Sequence, residues 1–509
     1  MNITINKQNA ARIYFFMVLM GAPLYFTNGF NNILRDKTYF TWLSIVVAAG
    51  LALMLLVKWI IAGAKNKTLV SDFKRIVSEL IGSVSGLDIF VMCFGIACIL
   101  SCLISEYRKE AFSGSMAWGV GGAMLFSLCV LYLIYSRFMK SEFSYFLGMM
   151  FGGAFAMIIA ILNDLWIDPL HTLEDIDVNW KDHFTSTIGN IDQFSGYLSV
   201  IIPMMVIMFV ISQNGFKRTL AAIVLFFAYL NMFLTHADSI YIGVGIGYVF
   251  IIGFCLRNSK RFLGLLINGI IFGLAGFAAK VIILYRPEIR LDDISPILIK
   301  HNVDLIIGGI CFAVLLLQMF LELRISKEQE DKILKVLFRI YVAAVLIAFV
   351  AIIVVSAMHF DIYFLNRRGL LWSIAINAFL DADTPNQIFG IGPGCVDTIA
   401  QNYYFEIQEA YGDFYFLDNI HNDVLEYLVT TGIVGAASYL GIYIYVIYDY
   451  LRGVLSKNDI SPNKLYAFIG LVGYIAQSII NGPHPLMVAI FFVLLTIYRG
   501  ESLAQKSYN

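Results

Sequence analysis

Polarity along the chain falls into long apolar runs separated by short polar breaks. Fourteen runs read as bilayer-crossing segments, over residues 13–30, 39–62, 86–104, 116–136, 143–163, 197–213, 219–235, 240–256, 262–285, 303–323, 336–358, 433–451, 465–481 and 486–498. A spanning helix needs about 20 predominantly apolar residues. Helix is the expected form, because hydrocarbon offers no partner to an unpaired amide and only helices or closed barrels satisfy the whole backbone. A barrel strand would alternate over about ten positions, and runs such as 340–356 do not alternate. The pattern predicts an all-α polytopic membrane protein with about 12–14 transmembrane helices.

Composition sharpens this picture. The 509 residues are 59% hydrophobic and 14% charged, whereas soluble domains are about 45–50% apolar and about 25% charged. A disordered chain, a fibrous repeat and an ordinary cytosolic enzyme are excluded. The net charge of −1 leaves no basic surface for nucleic acid.

Charge then orients the spans. With the N-terminus inside, the inner segments carry 22 Lys and Arg and the outer segments 10, which by the positive-inside rule places both termini in the cytoplasm. The first run lacks a small-residue cleavage site and reads as an anchor. Acids sort oppositely: 24 of the 36 Asp and Glu fall in outer segments, ten of them in 359–432. All seven histidines lie on the outer side or at its edge, without metal-ligand spacing. Six of the seven cysteines lie in spans and only Cys395 lies outside, so two outer cysteines cannot pair within the chain. The organisation is an N-terminal bundle (1–163), a central bundle (164–358), an outer loop (359–432) and C-terminal spans (433–509).

The outer loop carries the chemistry. Arg367 and Arg368 follow the eleventh run, and residues 370–380 are apolar except for Ser373 and Asn377. Eleven residues do not cross a bilayer, so an interfacial or re-entrant helix is expected, with the Arg pair at headgroup level. Residues 385–394, PNQIFGIGPG, predict a tight irregular turn. No strand precedes it, so it is not read as a nucleotide-phosphate loop. His421 stands just before a helical pattern that Asn422 or Asp423 can cap. The positive end of a helix dipole favours neutral imidazole, the form a general base needs.

Four segments together resemble the bacterial O-antigen ligases and related O-antigen polymerases. His421-Asn422, Gly432 and Gly435 match that family's His-Asn-x9-Gly-x-x-Gly. Arg368 and Trp372 resemble its Arg-x-x-x-Trp, and PNQIFGIGPG resembles the glycine-rich segment that follows. Gly189 to Gln193 with Gly196, Tyr197 and Leu198 is similar to its Gly-Asn segment entering a span, with Asn190 at the Asn position. The resemblance covers about residues 185–480.

It implies a C-type glycosyltransferase-like fold at the outer face of the bacterial cytoplasmic (inner) membrane. The implied activity is metal-independent transfer of a glycan from an undecaprenyl-diphosphate-linked oligosaccharide or polysaccharide to a hydroxyl of an acceptor glycan or glycolipid. No cofactor and no metal are implied, and membrane lipid is the other expected partner. Arg368 would hold the leaving diphosphate, with Arg367 as its substitute. Arg offers a fixed fork of donors suited to phosphate, and charge stabilisation is usually the largest catalytic contribution. His421 would activate or position the acceptor hydroxyl, and Asn422, Trp372 and Asn190 would contact substrate. The family's Ser-Arg pair at the outer end of the seventh span is missing: residues 234–239 read LTHADS. Arg286, Arg290 and His236 are the candidate replacements. Asp88, Asp304, Glu322 and Lys280, in or near spans, are read as structural, solvated near span ends. The competing reading is a lipid-linked glycan flippase or other multi-span transporter. It predicts paired charges at mid-membrane and balanced loops rather than a long acidic outer loop.

Overall fold

The computed structural model describes residues 6–115, 119–177, 180–235, 237–289, 291–322, 324–412, 417–455 and 460–508. It is overwhelmingly helical, and among the described residues ten helices are long and apolar enough to cross a membrane. Gly122–Phe138 and Ser239–Cys255 are equally apolar in character but shorter. Pro462–Ser478 also has 17 residues. The first run is helical over Lys7–Phe16 and Ala22–Leu24, joined by the π-helical turn Met17–Gly21. All fourteen predicted runs thus overlap helix. The protein is an all-α polytopic membrane protein.

Two helices begin earlier than their apolar runs. Ile191–Ile211 starts six residues ahead of 197 because Asn190 Oδ1 takes Asp192 N at 2.8 Å. Asp423–Leu455 starts ten residues ahead of 433 because Asn422 Oδ1 takes Leu425 N at 3.0 Å. A side-chain oxygen that satisfies an orphan amide lets a helix start in polar sequence. The division placed between 432 and 433 falls on a break inside the second of these helices, where Gly432 adopts φ 67°, ψ −174°. The segment 63–85 was expected only as a connection and contains a helix, Leu69–Ser83, with no buried residue.

Helix Ile191–Ile211 is the hub, with 94% of its apolar window buried, against none of that of Lys327–Met358 at the rim. Small residues let its neighbours close in: a Cβ on Gly473 would lie 2.1 Å from Ser199 O, and one on Gly243 2.3 Å from Ser199 Oγ. Such contacts drive helix association where lipid removes the hydrophobic incentive. One continuous core runs from Ala10 to Tyr498. The loop 359–432 builds its own smaller one from Leu371, Ile374, Val396, Ile407, Ile420 and Val429, among others.

Charged pairs among the described residues segregate to the two ends of the bundle. One end gathers Arg12 with Glu142 at 2.6 Å, Lys464 with Asp449 at 2.9 Å, and Asp88 with Arg137 and Arg499 at 3.0 and 2.7 Å. The other end gathers the segments around 165–192, 286–304, 361–432 and 479–484, where Lys280 meets Asp304 at 2.7 Å and Arg368 faces Asp192. The segments predicted inner and those predicted outer therefore lie at opposite ends.

Candidate active site

Chain turns bring the candidate residues together at the second end. The expected helix over 370–380 is present within Phe364–Asp381. Just ahead of Arg368, Leu365, Asn366 and Arg367 take left-handed backbone conformations, φ 48°, 57° and 69°, reversing the chain so that the helix continues from Arg368. Leu370, Leu371, Ile374 and Ala375 form the buried face. Ser373 Oγ turns back on Gly369 O at 2.8 Å.

Arg368 is fixed at several points. Its Nε donates to Ile480 O at 2.7 Å, Nη1 to Leu365 O at 3.3 Å, and Nη2 stands 3.8 Å from Asp192 Oδ1. Its side chain is 16% exposed, so the charge is held close to the protein yet reachable. Asp192 is the first-turn acid of helix Ile191–Ile211. Its own carbonyl accepts from Asn481 Nδ2 at 3.4 Å.

His421 sits in the same neighbourhood. It is a non-glycine residue at φ 54°, a conformation that costs free energy and is sustained only when neighbours over-determine it. Those neighbours are Asn419, whose Oδ1 takes His421 N at 2.6 Å, and Trp372, whose Nε1 donates to His421 O at 3.4 Å. The imidazole Nδ1 is buried without a hydrogen-bond partner. Burial, with the positive charge of Arg368 second, holds His421 down to about 4, partly offset by Asp192. The ring is therefore neutral at physiological pH, as a proton acceptor requires.

Asn422 locks the junction by capping its helix through Oδ1 while Nδ2 donates to Ile479 O at 2.9 Å. The carbonyls of Ile479 and Ile480, at the end of helix Pro462–Ser478, thus receive Asn422 and Arg368 side by side. Gly482 is required opposite Asn419, because a Cβ there would lie 1.9 Å from Asn419 Oδ1.

The glycine-rich segment acts as a backbone clamp. Thr384–Phe389 is a short helix rather than part of the turn. The turn proper is Gly390, Gly392 and Gly394, at φ 78°, 116° and 77°. The break at Gly432 removes the amides that would take the preceding carbonyls of its helix. Ile391 N and Gly392 N replace them, donating to Val429 O at 3.1 Å and Thr430 O at 2.9 Å. Ser101 Oγ adds a second donor to Thr430 O at 2.6 Å, and Ser105 Oγ binds Ile391 O at 2.5 Å. Glycine-rich loop and helix break are one device, joining two of the four motifs.

The remaining candidates stand apart. Arg367 is exposed, over the Tyr411 ring at 5.6 Å, and its carbonyl accepts from Tyr411 OH at 2.9 Å. Asn190 serves as the helix cap described above, in a two-strand hairpin with Phe184–Thr185. Arg286 donates to Leu165 O at 3.2 Å, lies over Trp166 at 5.5 Å and pairs with Glu288 at 3.8 Å, away from Arg368 and His421. His236 and Arg290 lie outside the described residues. The corner where the family's Arg would stand is acidic: Asp238 N donates to Asp292 Oδ2 at 3.0 Å, and Asp238 receives Ile294 N. Burial pushes Asp238 up to about 6. Asp238, Asp292 and Asp293 are the group whose ligand atoms converge within 4.8 Å among the described residues, and internal hydrogen bonds account for that convergence.

Sequence reasoning missed Asp192, Asn419 and Asn481. Asp192 carried one available signal, its place in the quoted Gly189–Gln193 segment, where a first-turn acid reads as an ordinary dipole partner. Asn419 and Asn481 carry none, because their roles arise from the apposition of 419 with 482 and of 481 with 192. No family model matches the chain, and no curated protein matches it.

Proposed function

We propose that this protein is a membrane glycosyltransferase working on undecaprenyl-type polyprenyl-diphosphate glycans at the outer face of the bacterial cytoplasmic membrane, as an O-antigen ligase-like enzyme or a surface-polysaccharide polymerase. One observation carries the reading: Arg368, His421 and Asp192, from three of the four motif segments, meet at one end of the bundle with a neutral imidazole beside a guanidinium.

The arrangement suits metal-free transfer. Arg368 is oriented through Nε and Nη1, and its Nη2 faces a single, loosely placed carboxylate, which a diphosphate would replace with better geometry. As the acceptor oxygen bonds to the anomeric carbon, the glycosyl–diphosphate bond breaks. The polyprenyl diphosphate leaves with its charge against Arg368. The acceptor's proton passes to His421 and from there to solvent. The acidic outer segments and their low share of Lys and Arg support an outer-face position for the site.

The test is gene deletion followed by complementation with wild type, His421→Ala and Arg368→Ala, with membrane levels checked. Gel profiles of the surface glycan are expected to show unlinked chains for a ligase or single repeat units for a polymerase, in the deletion and in both variants. Normal profiles in both variants, with protein present, overturn the site. A normal profile on deletion with altered solute uptake overturns the enzyme in favour of a transporter.

A further inference from the structure

A cleft lies on the same end as Arg368, with a volume of about 200 Å³, far more than the ~10–15 Å³ one water requires. Asn163, Trp166, Asp168, Lys181, Asp182 and Glu288 are among its lining residues.

Three observations mark it as built to receive something. Trp166 stands at φ 59°, just past helix Ser144–Asp164, where Ile167 N donates to Leu162 O at 2.8 Å and Leu165 N to Ile161 O at 3.1 Å. Left-handed positions after helix ends belong to glycine by preference, yet here a tryptophan occupies one and stays 61% exposed. Arg286 braces the ring at 5.5 Å. Asn163 is 9% exposed, its Oδ1 takes Ser186 N at 3.0 Å, and its Nδ2 is buried with no hydrogen-bond partner. An orphaned donor of this kind calls for a ligand atom or water. Asp168 is already committed, its two oxygens receiving Thr172 N, Thr172 Oγ1 and Leu173 N, so it shapes the rim.

The lining chemistry identifies the ligand class. Donors (Asn163 Nδ2, Lys181) share the cleft with acceptors (Asp164, Glu174, Asp182, Glu288) beside an open indole. Hydroxyls both donate and accept, and sugar C–H faces stack on aromatic rings, so a sugar uses the whole set. Five carboxylates line the cleft, but they do not converge on one point as metal ligands do among the described residues, so a metal ion is not the fitting occupant. Acids outnumber bases in the lining, which disfavours uronic acids and other anionic sugars. Phe184 lines the cleft and opens the hairpin that ends at Asn190, two residues before Asp192.

We propose that the Trp166 cleft binds a neutral or amino-sugar unit of the glycan, holding the chain while its end reacts at Arg368 and His421. The proposal rests on the glycan-transfer reading for its purpose, but binding itself needs no turnover.

The experiment is saturation-transfer NMR on the full chain in nanodiscs with methyl N-acetylglucosaminide, methyl galactoside and methyl glucuronide. Transfer to one or both of the first two, above the glucuronide, is expected. Trp166→Gly suits the left-handed backbone, so its Tm is expected to stay at or above wild type while apparent affinity falls about tenfold. Trp166→Phe is expected to retain part of the binding. No transfer to any glycoside, preference for the glucuronide, or undiminished transfer in Trp166→Gly overturns the cleft assignment. Binding lost in Trp166→Gly together with normal surface glycan in His421→Ala would leave the cleft standing and sink the transferase site.

Discussion

Arg368 is tied to Ile480 O through Nε at 2.7 Å and faces Asp192 across 3.8 Å through Nη2. Nε sets orientation together with Nη1, which donates to Leu365 O at 3.3 Å, while Nη2 and the second proton of Nη1 remain for substrate. Lysine keeps the charge but has neither the fork nor the Nε anchor. Arg368→Ala is expected to lower transfer on the order of 10²-fold, and Arg368→Lys to recover only part of that. Both are expected at wild-type membrane levels, because the side chain is partly exposed. Full activity in Arg368→Lys would remove the case for bidentate diphosphate recognition.

The pH profile follows from His421. Burial and Arg368 hold it to about 4, below the ordinary 6.5 or so, so the acid limb of kcat/KM is expected near 4. Arg368→Gln removes a depressing charge, and the limb moves up in the residual activity. Asp192→Asn removes a raising one, and the limb moves down. Stability has the same sign: between about 6.5 and 4 the unfolded chain takes up a proton that the fold refuses, so stability falls as pH falls. A limb unmoved by either substitution would detach His421 from the reaction.

Sidedness is testable directly. Glu328 opens the helix Lys327–Met358 at one end of the bundle, and Phe405 is 82% exposed at the other. In intact spheroplasts a membrane-impermeant maleimide is expected to label Phe405→Cys and to spare Glu328→Cys until the membrane is permeabilised. The reverse pattern would place the site in the cytoplasm.

The architecture was legible because a bilayer writes its demand locally: each span satisfies its own backbone, so each leaves a continuous run. What the runs hid were helix starts. Asn190 and Asn422 begin helices in polar sequence through single hydrogen bonds, which hydropathy does not register. The site was legible where a motif sits in one segment, as at His421 and Arg368. It was silent where the candidate sites arise by apposition: Asp192 against Arg368, Asn419 against Gly482, Trp166 against Arg286. Asn190 caps its own helix, and Arg286 is engaged by Leu165, Trp166 and Glu288.

The clamp between the glycine turn and the helix break discriminates among glycines. A Cβ on Gly432 would lie 2.2 Å from Ile388 O, at φ 67° and ψ −174°, a region essentially reserved for glycine. Gly432→Ala is expected to cost about 3 kcal/mol or more, read as a lower Tm or lost expression. A Cβ on Gly435 would meet one side chain closely, Thr431, at 2.0 Å from Oγ1 and 2.4 Å from Cβ, but Gly435 is not in the left-handed region and faces no foreign backbone. Gly435→Ala is expected to be milder. Equal effects at 432 and 435 would mean that the helix break is not what the fold requires.

Lys280 and Asp304 offer a test of whether a charged pair near a span end is structural. Their side chains are 16% and 0% exposed and stand 2.7 Å apart, with Asn302 Oδ1 also on Lys280 Nζ at 2.9 Å. Helices Ser259–Tyr285 and Val303–Glu322 touch here through Gly273, Gly276 and Gly308, and a Cβ on Gly276 would strike the Asp304 side chain at 2.4 Å, so the carboxylate has no route to water. Removing one partner strands the other in an apolar setting at about 3–5 kcal/mol, whereas replacing both with apolar groups is often neutral. Asp304→Leu and Lys280→Met are therefore expected each to lower Tm clearly, Lys280→Met more, because it leaves the fully buried carboxylate without its counter-charge, whereas Lys280 keeps Asn302 and partial exposure. The double variant is expected to recover most of the loss with glycan transfer intact. Additive losses would show that each group has a partner of its own, and transfer lost in a stable double variant would move the pair from the scaffold into the reaction.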